Sequence, residues 1–180
     1  ILMSQKINKN YNIEFIKITN RKKSSKHLSI NINNFIKNEK HIKKDITINN
    51  YEKREMLGRG AFSTVYLATH KLTKKEVAIK QIIKNSLNER DKKRLDREIK
   101  ILKLLRHNNL IHFYHSTSDS NNIYIITEYI NGKTLFNKIN RKQKFPEYEA
   151  CYYFQQIILA IEYLEKLNIV HSDIKPENIL

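Results

Sequence analysis

Glycine, proline and cysteine are scarce in this chain of 180 residues: there are three, two and one of them, and no tryptophan. The single cysteine, Cys151, excludes an internal disulfide and suits a reducing compartment, so a cytoplasmic location is expected. No apolar run approaches the length of a membrane span, and no signal-peptide core follows the opening "ILM". No internal repeat is visible. Acidic residues are also few, with 18 Asp and Glu against 34 Lys and Arg, a net charge of +16. Charge of this kind attracts any polyanion and so discriminates poorly between nucleic acid, an anionic membrane and an acidic substrate.

The shortages are uneven along the sequence. Residues 1–50 have no glycine and no proline, and carry 11 Lys and Arg against 3 Asp and Glu in an Asn/Lys/Ile-rich setting. High charge with few aromatics predicts a mostly disordered extension, with isolated strands or an arm packed on the domain as the alternative. The cluster "RKKSSK" at 21–26 reads first as a solvated linker and second as a nuclear-localisation or polyanion patch, which keeps the nucleus as a second location. Ser24, three residues after Arg21, is a candidate for self-phosphorylation. Because the first residue is Ile1, the chain is expected to be a piece of a longer reading frame.

From Tyr51 the pattern becomes that of an α+β domain. "YEKREMLGRGAFSTVYLATH" and "KKEVAIKQII" read as strands around turns, and residues 89–105 place Leu95, Ile99, Leu102 and Leu105 at helical spacing. "LIHFYHS" and "NIYIITEYI" read as two further strands joined by a polar turn. A short helix follows around "TLFNKI", and a longer one runs from Glu147 to about Leu167 with Pro146 near its first turn. The order predicts a mostly antiparallel sheet with one helix, then a helical part. Within that long helix Cys151 reads as a small buried apolar group.

"LGRGAFSTV" spaces Gly58 and Gly60 at a hairpin tip, a string that also serves ligand-free turns. Because "TVYLATH" continues as a strand, the loop suits a hairpin laid over phosphates better than a glycine turn opening a helix. "GKT" at 132–134 is no phosphate loop, since Thr127 stands where that motif needs glycine. "VAIK" puts Lys80 on a strand, where it can neutralise phosphate if a carboxylate fixes its stem, and Glu98 at the edge of the helix's apolar face is the candidate. In the closing "IVHSDIKPENIL", Asp173 can orient an attacking hydroxyl or take its proton, Lys175 can meet a transferring phosphoryl, and Asn178 offers oxygen to a hard cation. His171 reads as a packed histidine beneath that stretch. His107, His112 and His115 have suggestive spacing but no Cys or carboxylate cluster beside them, so structural or surface roles are expected.

Taken in order, Gly58-x-Gly60, Val65, Ala78-Ile79-Lys80, Glu98 and His171-x-Asp173-Ile174-x-x-x-Asn178 resemble the signature of eukaryotic protein kinases over residues 51–180. The resemblance implies a bilobal fold: a complete antiparallel β lobe with one helix and a hinge at 51–130, then the start of a helical lobe at 131–180 ending in the catalytic loop. It implies ATP and Mg²⁺ as cofactors. Leu57, Gly58, Arg59, Gly60, Ala61, Phe62, Ser63 and Val65 would form the loop over the phosphates, and Lys80, paired with Glu98, would hold the α and β phosphates. Val65, Ala78 and Leu180 would sandwich the adenine. Thr127 would guard the back of the pocket, and the backbone from Glu128 to Ile130 would bond the base. Asp173 and Lys175 would be catalytic and Asn178 a metal ligand.

"DIKPEN" is the serine/threonine form of the loop, and "LGRGAFSTVYLAT" with "PENIL" is most similar to the calcium/calmodulin-dependent group. That implies a protein substrate and admits a calcium sensor or calmodulin as partner, with nucleic acid not expected. Ser63 replaces the third glycine. Thr134 stands where basic-directed kinases keep Glu, which weakens any expected preference for Arg before the target residue. Ser172 replaces an arginine that normally pairs with a phosphorylated activation loop, implying activity not switched by that pairing. The Asp-Phe-Gly metal ligand and activation loop would follow Leu180, so the resemblance implies an N-terminal fragment, inactive as it stands. The alternative is a catalytically silent kinase-like nucleotide-binding or regulatory module.

Overall fold

The computed structural model describes Ile16 and residues 47–180. The expectations for the "RKKSSK" cluster and Ser24, and for the rest of the extension ahead of residue 47 apart from Ile16, lie outside the described residues. After a 3₁₀ turn at Ile48–Asn50 the chain forms β1 (Tyr51–Arg59), β2 (Ser63–His70) and β3 (Glu76–Ile83). Helix α1 (Glu89–Leu104), β4 (Phe113–Ser118), β5 (Asn122–Glu128), α2 (Leu135–Lys142) and α3 (Glu147–Lys166) follow, with a last 3₁₀ turn at Pro176–Asn178. This is the α+β order read from the sequence.

The strands form one five-stranded sheet in the order β1-β2-β3-β5-β4, every pair antiparallel. Period-two alternation along β3 separates two faces. Val77 and Ile79 turn to one side, where they pack with Ala68, Tyr124 and Ile126. Ile82 turns to the other, joining Leu95 and Leu102 of α1 in the larger cluster that continues to Ala160 and Leu164 of α3. One apolar core therefore links the sheet to the helical part.

Local chemistry sets the helix ends. Asn88 caps α1 by accepting from the Asp91 N–H at 2.9 Å, and Glu89 and Asp91 in the first turn complement the helix dipole. Thr134 caps α2 in the same way through the Asn137 N–H. Along α3, Tyr153, Gln156, Ala160 and Leu164 face inward.

Three details differ from the sequence reading. β4 begins at Phe113, not Leu110: Leu110 and Ile111 are buried just ahead of it, in a turn closed by the Leu110 N–H donating to the His107 carbonyl. β5 stops at Glu128, short of Ile130. Cys151 is exposed, which corrects its expected burial. The inward stripe of α3 runs through Tyr153 and Gln156, and position 151 falls off it.

Candidate active site

Antiparallel register gathers the first group of residues. Directly opposed residues share a face, so Val65 opposite Lys80, and Ala78 opposite Thr127, stand together on the sheet face that looks toward α1. Gly58 on β1 lies opposite Val65. The turn beyond is closed by the Gly60 N–H donating to the Ser63 carbonyl at 2.8 Å, which leaves Arg59, Ala61 and Phe62 at an exposed tip beside Leu57. A β-carbon placed on Gly58 would meet no protein atom within 4 Å. The protein's own packing thus does not demand glycine there, whereas close approach of a ligand to bare backbone would.

Lys80 reaches Glu98 of α1 at 3.9 Å, both side chains about four-fifths covered. Glu98 therefore does point inward from the edge of its helix's apolar face. Thr127 is half-buried near the end of β5. Glu128 is bound to the segment ahead of β4 twice over: its N–H donates to the His112 carbonyl at 2.9 Å, and its carboxylate accepts from the His112 N–H at 2.6 Å. With that N–H engaged, a hydrogen bond from residue 128 to a purine has to use the carbonyl. The carboxylate bond was not legible in the sequence, where Glu128 looked like backbone only. Ile130 follows in the link to α2.

The second group lies on the segment after α3. Asn178 Nδ2 donates to both the carbonyl and the Oδ2 of Asp173 at 2.9 Å, and Lys175 Nζ stands 3.0 Å from the same Oδ2. Chiefly through the Lys175 bond, and against a desolvation penalty, the Asp173 carboxyl is held below the usual carboxylate range. It is therefore charged at neutral pH. Beneath it His171 is buried, and its Nδ1 and carbonyl both face the Asp173 N–H. Burial pushes the His171 imidazole below its ordinary value, and its Nε2 is covered without a hydrogen-bond partner among the described residues. Ser172 between them has φ of 64°, a left-handed conformation uncommon for a residue with a side chain and frequent at functional sites.

These donors fit a metal-bound nucleotide. Asn178 spends its amide nitrogen on Asp173, leaving Oδ1, a hard oxygen donor of the kind Mg²⁺ takes. Lys80 supplies positive charge on a face whose hairpin leaves room above Gly58. Val65, Ala78 and Thr127 provide the apolar wall beside it, and Leu180 lies on the segment just past Asn178.

The histidines singled out at 107, 112 and 115 have ring neighbours instead. His107 stacks on Tyr163, His112 lies against Tyr114, and His115 lies beside Tyr51. No group of three or more metal-ligating side chains occurs among the described residues, and no described helix is long and apolar enough to cross a membrane.

Residues 51–180 match the family model of the protein kinase domain. A probable myosin light chain kinase of Dictyostelium discoideum is 43% identical over 139 residues, covering 77% of this chain and 36% of that protein. Myosin light chain kinase A of the same organism is 43% identical over 130 residues, 72% of this chain and 44% of that one. The SNF1-like protein kinase ssp2 of Schizosaccharomyces pombe is 45% identical over 128 residues, 71% of this chain and 22% of its own length. The chain thus spans less than half the length of each of these relatives.

Proposed function

Because the chain belongs to the protein kinase family, we propose that it carries the nucleotide lobe and catalytic loop of a serine/threonine kinase that transfers the γ-phosphoryl of ATP to protein hydroxyls. The observation that supports this most directly is the convergence of Asn178 Nδ2 and Lys175 Nζ on a single carboxylate oxygen, Asp173 Oδ2, at 2.9 and 3.0 Å. Bound with ATP, Mg²⁺ would supply neutralisation of the phosphate charge, and Asn178 Oδ1 is the atom that would hold it.

Lys80, steadied by Glu98, would engage the α and β phosphates under the Gly58–Gly60 hairpin. Val65, Ala78 and Leu180 would enclose the adenine, with Thr127 behind it and the backbone of residues 128–130 bonding its edge. Asp173 is held ionised and is therefore a poor proton store, so its main task is to aim the substrate hydroxyl. Lys175 would stabilise the moving phosphoryl. Catalysis of this type is positioning plus charge neutralisation, with little covalent work for the protein.

The lysine of "DIKPEN" supports Ser/Thr rather than Tyr as acceptor. The similarity of "LGRGAFSTVYLAT" and "PENIL" to the calcium/calmodulin-dependent group supports a calmodulin-type calcium sensor as partner, and the lone exposed thiol suits the cytoplasm. The test, run on the full-length protein, is labelled phosphate transfer from Mg-ATP to Ser/Thr peptides. Asp173→Asn is expected to lower the rate by at least about 100-fold, and Lys80→Met to abolish it. Undiminished transfer in either variant would refute the assignment. Nucleotide binding with no transfer in the unmutated full-length protein would favour the silent module.

A further inference from the structure

Ile16 lies well ahead of residue 51, where the family match begins, yet it is 1% exposed and ranks among the largest fully buried side chains described. It belongs to the cluster that holds Leu95, Leu102, Leu105, Leu110 and Ile179. Its backbone is held as firmly as its side chain. The Ile16 N–H donates to the Asn178 carbonyl at 3.1 Å, and its carbonyl accepts from the Leu180 N–H at 3.0 Å. The pairing is a parallel bridge to Ile179, and an antiparallel bridge joins the same residue to Leu110. On its other side Ile179 is held as well, its carbonyl accepting from the Leu135 N–H of α2 at 2.7 Å.

The Asn178–Leu180 segment is therefore bonded along both edges, with Ile16 supplying one of them. The consequence passes through Asn178. Its side chain fixes Asp173, and its orientation follows from its own backbone, so whatever anchors that backbone sets the aim of Oδ1. A residue that only filled the core would need no bonds to this segment.

We propose that Ile16 is a positioning residue of the active site: its bridge to Ile179 ties down the Asn178–Leu180 segment and holds Asn178 in the orientation that binds the metal of Mg-ATP. Ile16 is then a working part of the catalytic loop. The metal-binding half of this inference rests on the kinase reading, whereas the bridge itself does not.

The experiment uses the full chain and two readouts: amide hydrogen exchange, and ATP affinity by calorimetry with Mg²⁺ or with EDTA. In the unmutated chain the Leu180 amide is expected to be protected. Ile16→Pro, which removes the N–H, is expected to speed Leu180 exchange by about tenfold, the loss of roughly one hydrogen bond. It should cut the metal-dependent gain in ATP affinity by a similar factor, leaving affinity in EDTA and exchange within β2 and β3 unchanged. Ile16→Val retains both properties. Ile16→Ala keeps the backbone bonds and should lower the melting temperature without touching the metal-dependent gain.

A freely exchanging Leu180 amide in the unmutated chain, or an undiminished metal gain in Ile16→Pro, overturns the proposal. Should Ile16→Pro not fold, the protection of Leu180 in the unmutated chain and an unchanged metal gain in Ile16→Ala decide it. If the unmutated chain binds no ATP, the kinase reading fails, and Leu180 protection still reports on the bridge.

Discussion

The sheet and the helical part of this chain bury their apolar residues differently. The sheet buries apolar side chains on both of its faces, Ala68, Ile79 and Ile126 at 0% exposure on one and Ile82 at 5% on the other. Helix α3 closes one. Ala160 and Leu164 are buried, while Tyr148, Phe154, Ile158 and Leu159 on its remaining surface stay exposed. A helix apolar on all sides has the composition of one with packing partners on all sides. The comparison teaches that register, with α1 alongside, gathers Val65, Ala78, Lys80 and Thr127 on one face, whereas the loop bearing Asp173 leans on contacts from distant parts of the chain, Ile16 among them.

Substitution in the two regions tests this contrast most strongly through packing. Ile79→Ala removes a fully covered side chain and is expected to cost about 3 kcal/mol in denaturant unfolding. Leu159→Ala on the open face of α3 is expected to stay within about 0.5 kcal/mol. Equal losses would break the comparison.

Acid provides a sharper and smaller probe, because each region has one histidine lowered by burial. These are His115 in the sheet, with His70 adding to the shift, and His171 under the loop, where the Asp173 charge opposes it. The ordinary value is 6.5, and both groups are depressed in the fold, so the unfolded chain takes up the proton first. Stability is full above about pH 6.5 and declines as pH falls, by at most about 1.4 kcal/mol per pH unit for each group. Urea titrations from pH 7 to 5 should show the slope flattened by His171→Gln and, separately, by His115→Gln. A slope untouched by either removes histidine burial as the cause.

The smallest expected effect is a gain. Ser172→Gly relieves the positive φ and should raise stability by about 0.5–1 kcal/mol. A loss would mean that the hydroxyl makes a contribution its exposed position does not reveal.

The sequence was most legible where its period was clean. Strands around "VAIK" and "NIYIITE" alternate, and the capped helix at Glu89–Leu104 has one stripe, so the sheet and α1 could be read from the pattern and Glu98 named as the candidate partner of Lys80, while the loop bearing Asp173 was read from its motif and its resemblance to the protein kinase signature. Cys151 could not be placed, because a helix apolar on several sides does not announce which side meets the core. Leu110 looked like strand because it is apolar and followed by Ile111, yet burial in a turn demands the same residue types. Ile16 was hidden for a different reason: among many isoleucines in a lysine- and asparagine-rich run, nothing local marks the one that pairs with residues far along the chain. The bond from the Glu128 carboxylate to His112 was likewise tertiary information.

The 3.9 Å between Lys80 and Glu98 has a mechanical meaning. A hydrogen bond fails steeply with distance and angle, while attraction between charges decays slowly. A pair held at this separation behaves as a soft spring and not as a latch: α1 can roll or slide a little against β3 without an abrupt energetic penalty, and the restoring pull persists throughout. The lysine that would meet the nucleotide is tethered with play, and a modest push on α1 would be enough to move its ammonium group.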